Sequence, residues 1–170
     1  MSGLGDWTLF RFRAIENLLR KKPQKETAIS GFFGEYRFLS NFWPVELRYG
    51  GEVYPSVEHA YQAAKCVDPL ARDAIRNAAK PGKAKKLGSK AEMRADWEQV
   101  RIETMEELVR QKFLRNHELG EKLLATGSAD LIERNDWGDT FWGVCEGNGE
   151  NHLGRILMGV RAQVRKTRES

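Results

Sequence analysis

The chain has 170 residues, of which 41% are hydrophobic and 31% charged, with a net charge of +4 and a pI near 9.1. This length suits one domain, and no apolar run approaches the roughly 20 residues that a membrane span needs. The N-terminal segment has no apolar stretch ending at a small-residue cleavage site. A secretory signal is therefore not expected, and we predict a soluble, cytoplasmic protein without a membrane partner.

The two cysteines, Cys66 and Cys145, lie far apart, and no cysteine–histidine cluster has the spacing of a zinc site. The sequence therefore predicts no metal, no disulfide and no other cofactor. Basic clusters at 20–22 and 80–86 suit a phosphate-bearing partner. Lysines that simply cover a solvated face are an equally good interpretation, so charge alone does not decide between them.

The first 27 residues are predicted to form an appendage with a polar linker, followed by one domain over residues 28–170. The domain opens with short apolar runs bounded by turn residues, and Gly50-Gly51 predicts a hairpin. These features predict a small antiparallel sheet with strands at 28–33, 45–49 and 52–54.

Apolar residues at helical spacing dominate the rest of the chain. Ser56, Asp68 and Asn151 are suitable N-caps, and Gly127 is a natural residue to follow a helix end. The predicted helices are 57–66, one opening at Asp68, 96–116, 119–126 and 152–166, with a brief strand at 131–132. The predicted fold class is mainly α, of the α+β type: a helical single domain with a small antiparallel β-sheet.

The helix after Ser56 carries side chains that a scaffold does not require. One face holds an acid, a phenol, an amide and an amine, at Glu58, Tyr61, Gln62 and Lys65. An acid in the first turn also complements the helix dipole, so a surface role for Glu58 is an equally good interpretation. The neighbouring His59 is interpreted as a structural hydrogen-bonding residue.

Two later segments combine acids, aromatics and glycines. In residues 135–143 (NDWGDTFWG), an acid within an aromatic wall can stabilise a cationic sugar beside a stacked base. The structural alternative is a turn pinned to the core by Trp137 and Trp142. Residues 146–154 (EGNGENHLG) form a glycine-rich turn before a helix, which can bind an anion, although a plain loop with an N-cap is the commoner outcome.

These segments, taken in order, resemble the YbiA/NADAR family over about four-fifths of the chain. The shared motifs are LSNFW at 39–43, YPSVEHAYQAAK at 54–65, AKKLG at 84–88, DW at 96–97, KF at 112–113, DTFWG at 139–143 and GENHLGRILM at 149–158. The resemblance implies a mainly helical domain that hydrolyses N-glycosidic bonds of phosphorylated ribosides. The implied substrates include riboflavin-biosynthesis intermediates and, in NADAR members, ADP-ribose attached to guanine in DNA.

By position in these motifs, the resemblance implies that the catalytic residues are Glu58, Asp139 and Trp97. Substrate binding is expected from further residues in the same motifs: Asn41, Phe42, Tyr61, Lys65, Lys85, Trp142 and Asn151. The chain departs from the pattern at Ser89-Lys90, where many relatives have an arginine after the glycine, which puts a phosphate contact there in question.

Cleavage of a ribose–nitrogen bond passes through an oxocarbenium-like state, which a nearby carboxylate stabilises. We expect Glu58 to be the main catalytic carboxylate and Asp139 to orient ribose or water. Trp97 either stacks on the base or anchors the long helix in the core. The alternatives are a non-catalytic module that binds ADP-ribose or a nucleotide, and a basic nucleic-acid-binding module that rests on the lysine clusters alone.

Overall fold

The computed structural model describes residues 27–169, so the predicted appendage lies outside the described part except for its last residue. This part consists of six α-helices, one 3₁₀ helix and three two-stranded sheets. The helices are α1 (Val57–Ala64), α2 (Pro69–Arg76), α3 (Pro81–Gly88), α4 (Trp97–Leu114), α5 (His117–Ala125) and α6 (His152–Glu169), and the 3₁₀ helix is Gly34–Leu39. The strands are β1 (Ala28–Ser30), β2 (Leu47–Tyr49), β3 (Glu52–Tyr54), β4 (Asp130–Ile132), β5 (Arg134–Asn135) and β6 (Val144–Cys145).

The mainly helical α+β fold is confirmed, but the strand pairing differs from the prediction. Strands β2 and β3 form the predicted antiparallel hairpin, and both glycines of its turn have positive φ values, 56° and 85°, which glycine adopts without strain. Strand β1 does not join this hairpin and pairs in parallel with β4. Strands β5 and β6 are also parallel. The apolar pattern of a three-residue strand does not specify a partner so far along the chain.

Helix α4 is the central core helix, as predicted, and packs against α6, α1 and α5. Its buried apolar residues recur at helical spacing: Trp97, Met105, Leu108, Val109 and Phe113. Helix α6 turns a matching face toward it, with Leu153, Leu157, Val160 and Val164 buried. Each such side chain contributes roughly 1.5–3 kcal/mol of burial free energy, so this pairing supplies much of the stability of the domain.

Helix α3 does not follow from periodicity, because its sequence, PGKAKKLG, is rich in lysine and glycine. Pro81 starts the helix with a suitable φ angle and no unsatisfied N–H group. Gly88 lets α3 approach α1 closely, since a Cβ atom there would lie 2.1 Å from Gln62 Oε1. The packing of α3 on α1 brings Lys85 beside the face of α1 that carries Glu58.

The N-caps at Ser56 and Asp68 are confirmed, because both side chains accept hydrogen bonds from backbone N–H groups of the first helical turn. Asn151 stands at the predicted N-cap position of α6, where its carbonyl accepts from the N–H of Arg155 at 3.0 Å, but its side chain bonds to other segments instead of the first helical turn. Asn151 Oδ1 accepts from the N–H of Glu133 at 3.0 Å, and Nδ2 donates to the carbonyl of Leu131 at 2.9 Å. The side chain therefore joins the start of α6 to the end of β4. Among the described residues, every helix is too short or too polar to span a lipid bilayer.

Candidate active site

A cleft of about 320 Å³ opens between α1, the first turns of α4, the segment after the 3₁₀ helix, and the loop between β5 and β6. This volume lies in the range of small-molecule sites. Acids, amides, lysines and aromatic rings surround it: Ser40, Asn41, Phe42, Glu58, Tyr61, Gln62, Lys65, Lys85, Trp97, Met105, Glu133, Trp137, Asp139 and Trp142.

Glu58 lies in the first turn of α1 and is buried, with 6% of its surface exposed. Its Oε1 accepts a hydrogen bond from Gln62 Nε2 at 2.8 Å. Burial raises the pKa of the carboxyl group, while this hydrogen bond and the charges of Lys85 and Lys65 act in the opposite direction. The interpretation of Glu58 as a surface residue is therefore wrong, because the helix turns its acid into the cleft.

Asp139 reaches the cleft from the loop at 136–143, which β5 and β6 close at its base. Its Oδ1 accepts from the backbone N–H groups of Trp142 at 2.8 Å and Phe141 at 3.2 Å. The side chain of Asn135 fixes the backbone of Asp139. Its Nδ2 donates to the carbonyl of Asp139 at 2.7 Å, and its Oδ1 accepts from the N–H of Asp139 at 3.0 Å. These bonds give the carboxylate a defined orientation.

Glu133 contributes a third carboxyl group from the junction between β4 and β5. Its Oε2 is buried and has no hydrogen-bond partner among the described residues. Burial is the main cause that raises the pKa of Glu133 to about 7, and the negative charge of Asp139 adds to it. A carboxyl group in this state exchanges its proton near neutral pH.

Aromatic rings also line the cleft. The Tyr61 ring lies 5.0 Å from the Trp97 ring and 5.5 Å from the Trp142 ring, measured between centroids. Burial is the main cause that raises the pKa of the Tyr61 phenol, and the neighbouring Trp142 acts in the opposite direction. Trp97 is only 5% exposed, so it anchors α4 in the core. The same residue also lines the cleft.

At the rim, Phe42 and Trp137 are exposed, and Lys85 Nζ lies 5.5 Å from the centroid of the Trp137 ring. Trp137 is 61% exposed, so the interpretation in which Trp137 pins a turn to the core is wrong. An exposed ring beside an ammonium group is available to stack on a flat base next to a phosphate.

The wall formed by Ser40, Asn41 and Phe42 rests on a buried lysine. Lys112 is 1% exposed, and its Nζ donates to the carbonyl of Ser40 at 2.7 Å. Burial lowers the pKa of Lys112 to about 7. Asn41 Nδ2 lies 3.4 Å from Met105 Sδ, and the carbonyl of Asn41 accepts from the N–H of Glu58 at 3.1 Å. This wall is thereby fixed to both α1 and α4.

The cleft gathers all of the site residues predicted from sequence except Asn151. Asn151 does not line the cleft, since its side chain is bound to the backbone of Glu133 and Leu131. The glycine-rich turn before α6 lies outside the cleft lining too. His59 is structural as expected, because its ring bonds to Ser56 Oγ at 2.7 Å and to the carbonyl of Ala78 at 3.0 Å.

Sequence reasoning missed Glu133 and Lys112. Glu133 stands between two very short strands, and one acid there has no pattern that distinguishes it from a loop residue. Lys112 gives a detectable signal, because it follows Leu108 by four residues and Met105 by seven on the apolar face of α4. Residues 27–169 contain no group of three or more His, Cys, Asp or Glu side chains positioned to hold a metal ion.

The described residues thus form a mainly helical α+β domain with an acid-lined aromatic cleft, and a solved structure shares this fold. The solution structure of the Escherichia coli protein YbiA matches with a TM-score of 0.75 at 31% identity, over 89% of this chain and 95% of that one. The NADAR domain model matches residues 24–165. The chain therefore belongs to the NADAR family.

Curated relatives carry enzyme names. The N-glycosidase YbiA of Escherichia coli (strain K12) is 36% identical over 76% of this chain and 82% of its own length. An N-glycosidase of Nostoc punctiforme is 41% identical over 76% of this chain and 86% of its own. A riboflavin biosynthesis protein of Vibrio vulnificus is 40% identical over 76% of this chain, which spans only 36% of that longer protein.

Proposed function

We propose that this chain hydrolyses the bond between a ribose carbon and a base nitrogen in a phosphorylated riboside. One observation carries the proposal: Glu58 and Asp139 line the same cleft, together with aromatic rings and two lysines. The class of activity is the one that the relatives' names give, hydrolysis of an N-glycosyl bond, and the chain is an enzyme of that class.

The chemistry follows from the charge that develops at the sugar. As the ribose–nitrogen bond breaks, positive charge grows on the anomeric carbon, and a buried carboxylate nearby stabilises it more strongly than water does. Glu58 is the most buried acid of the cleft and we assign it this role. Asp139, with one oxygen held by backbone N–H groups, orients ribose or the attacking water.

The other side chains of the cleft suit the remaining parts of such a substrate. The rings of Trp97 and Phe42 offer faces to a flat base. Lys65 and Lys85 place ammonium groups at the cleft for a phosphate. Two substrates fit this description: a riboflavin-biosynthesis ribosylamine phosphate, and ADP-ribose attached to guanine in DNA.

The proposal is tested by incubating the pure protein with each of these two substrates and following the released base and sugar by mass spectrometry. Release of base and ribose from either substrate supports the proposal and identifies the substrate. Binding of ADP-ribose without release of base indicates the non-catalytic module. DNA affinity that depends steeply on salt and survives loss of Glu58 indicates the nucleic-acid-binding module.

The substitution Glu58→Gln tests the role of the carboxylate directly. Glutamine keeps the volume and can still accept the hydrogen bond from Gln62, but it carries no charge to oppose the oxocarbenium ion. We expect turnover to fall on the order of 10²–10⁴-fold, while substrate binding is retained. The melting temperature should be unchanged or raised, since a buried carboxyl group is removed.

Glu103→Gln is the matched control, because Glu103 is exposed on α4 outside the cleft. It should leave turnover and melting unchanged. Near-normal turnover of the Glu58→Gln protein would refute the catalytic assignment.

A further inference from the structure

Glu133 has the position of a reacting group rather than of a scaffold residue. It lines the cleft with Glu58 and Asp139, and its Oε2 is buried with no hydrogen-bond partner among the described residues. Leaving a buried carboxyl oxygen without a hydrogen bond is unfavourable, unless a ligand provides the partner. A base nitrogen held in the cleft is such a partner.

The backbone around Glu133 is held on both sides. Its N–H donates to Asn151 Oδ1 at 3.0 Å, and its carbonyl accepts from the N–H of Val144 at 2.8 Å. Gly143 packs directly on this carbonyl, since a Cβ atom at residue 143 would lie 2.2 Å from it. Two segments that are distant in sequence thus fix the point from which the side chain of Glu133 enters the cleft.

The negative charges that face Glu133 add to the effect of burial and favour its protonated form. Asp139 and Glu58 place negative charge near it, and Lys85 offsets part of this. Burial also raises the pKa of Glu58, but the hydrogen bond from Gln62 and the charges of two lysines act in the opposite direction. Like charges in one cleft oppose each other's ionisation, and the buried Oε2 of Glu133 has no hydrogen bond from the described residues to support a negative charge.

We propose that Glu133 is the general acid that protonates the departing base nitrogen. This inference rests on the proposed function. As the C1′–N bond breaks, its electron pair goes to the base nitrogen, which takes the proton from Glu133. Water then attacks C1′ and gives a proton to a carboxylate of the cleft, so that the products are the free base with its N–H and the sugar with a 1-hydroxyl group. Exchange with solvent returns the proton to Glu133.

The pH dependence of kcat/KM tests this assignment on whichever of the two substrates the wild type cleaves. Between pH 5 and 9, the wild-type value should fall on the alkaline side with a midpoint near 7, because burial and Asp139 raise the pKa of Glu133 to about 7. Glu133→Gln should lower kcat/KM by on the order of 10²–10⁴-fold at pH 6 and abolish the alkaline fall. Glu133→Asp keeps an acid, so its kcat/KM should still fall on the alkaline side, from a value below that of the wild type.

The outcomes separate this inference from the proposed function. A wild type that cleaves neither substrate overturns both. A wild type that cleaves one of them overturns the inference alone if its profile is flat to pH 9, or if Glu133→Gln keeps the alkaline fall or loses less than about fivefold. Glu103→Gln, the exposed control on α4, should reproduce the wild-type profile. Thermal melting of each variant shows that the comparison is made between folded proteins.

Discussion

The buried lysine beneath the cleft leads to a quantitative prediction for the substitution Lys112→Met. Methionine fills most of the same volume but carries no charge. Lowering the pKa of Lys112 from 10.5 to about 7 corresponds to about 5 kcal/mol of lost stability at acidic pH, since one pKa unit is worth about 1.4 kcal/mol. The hydrogen bond from Lys112 to the carbonyl of Ser40 offsets part of this, because such a bond contributes about 1–3 kcal/mol; after the substitution the carbonyl keeps only the N–H of Trp43 at 3.1 Å.

The sign of the pH effect follows from proton binding. Between pH 7 and 10.5 the unfolded chain holds the Lys112 proton and the folded chain does not, so wild-type stability rises with pH across this window. Lys112→Met lacks this dependence. It should be more stable than the wild type by about 2–4 kcal/mol at pH 6, and this advantage should shrink by about 3 kcal/mol between pH 7 and 9.5.

Urea unfolding of both proteins at constant ionic strength, repeated from pH 6 to 9.5, measures this difference. Lys90→Met is the control, because Lys90 is exposed after the end of α3; its stability curve should run parallel to that of the wild type. If the Lys112→Met curve also runs parallel to the wild type, the lysine is charged in the folded state and the reasoning is refuted.

Two further predictions concern turnover. Asp139→Asn should keep the loop folded, because the amide oxygen can still accept from the N–H of Trp142, but it should lower kcat by on the order of 10²–10⁴-fold; a rate close to that of the wild type would remove Asp139 from the chemistry. Turnover should also persist in EDTA, since the described residues offer no cluster of metal ligands. Loss of activity that zinc or magnesium restores would contradict this.

The long helices are predicted well from the local sequence, because the regular spacing of apolar residues determines each of them. In α4, the buried apolar residues from Trp97 to Phe113 form one stripe along the helix. The cap of α1 at Ser56 is equally local, since its side chain bonds within the first turn. Glu58, two residues after this cap, therefore reaches the cleft from a helix whose start is visible in the sequence.

Features that depend on distant segments escape such rules. Strand β1 pairs with β4 only because the folded helices bring them together. Asn151 has the residue type of an N-cap, yet the nearby end of β4 offers its side chain two backbone partners instead. The role inferred for Glu133 depends on burial and on neighbouring charges, which a sequence pattern does not contain.

The pairing of β5 with β6 separates the exposed tip of one cleft loop from the residues at its root. The pair closes the loop at 136–143 at its base, and the tip of this loop, at Trp137 and Gly138, is exposed. Lengthening a closed loop is inexpensive, since each doubling adds only about 0.6 kcal/mol of closure entropy. Insertions at this tip can therefore reshape the mouth of the cleft for a different base, while Glu58 on its helix and Glu133 at the root of the loop keep their places.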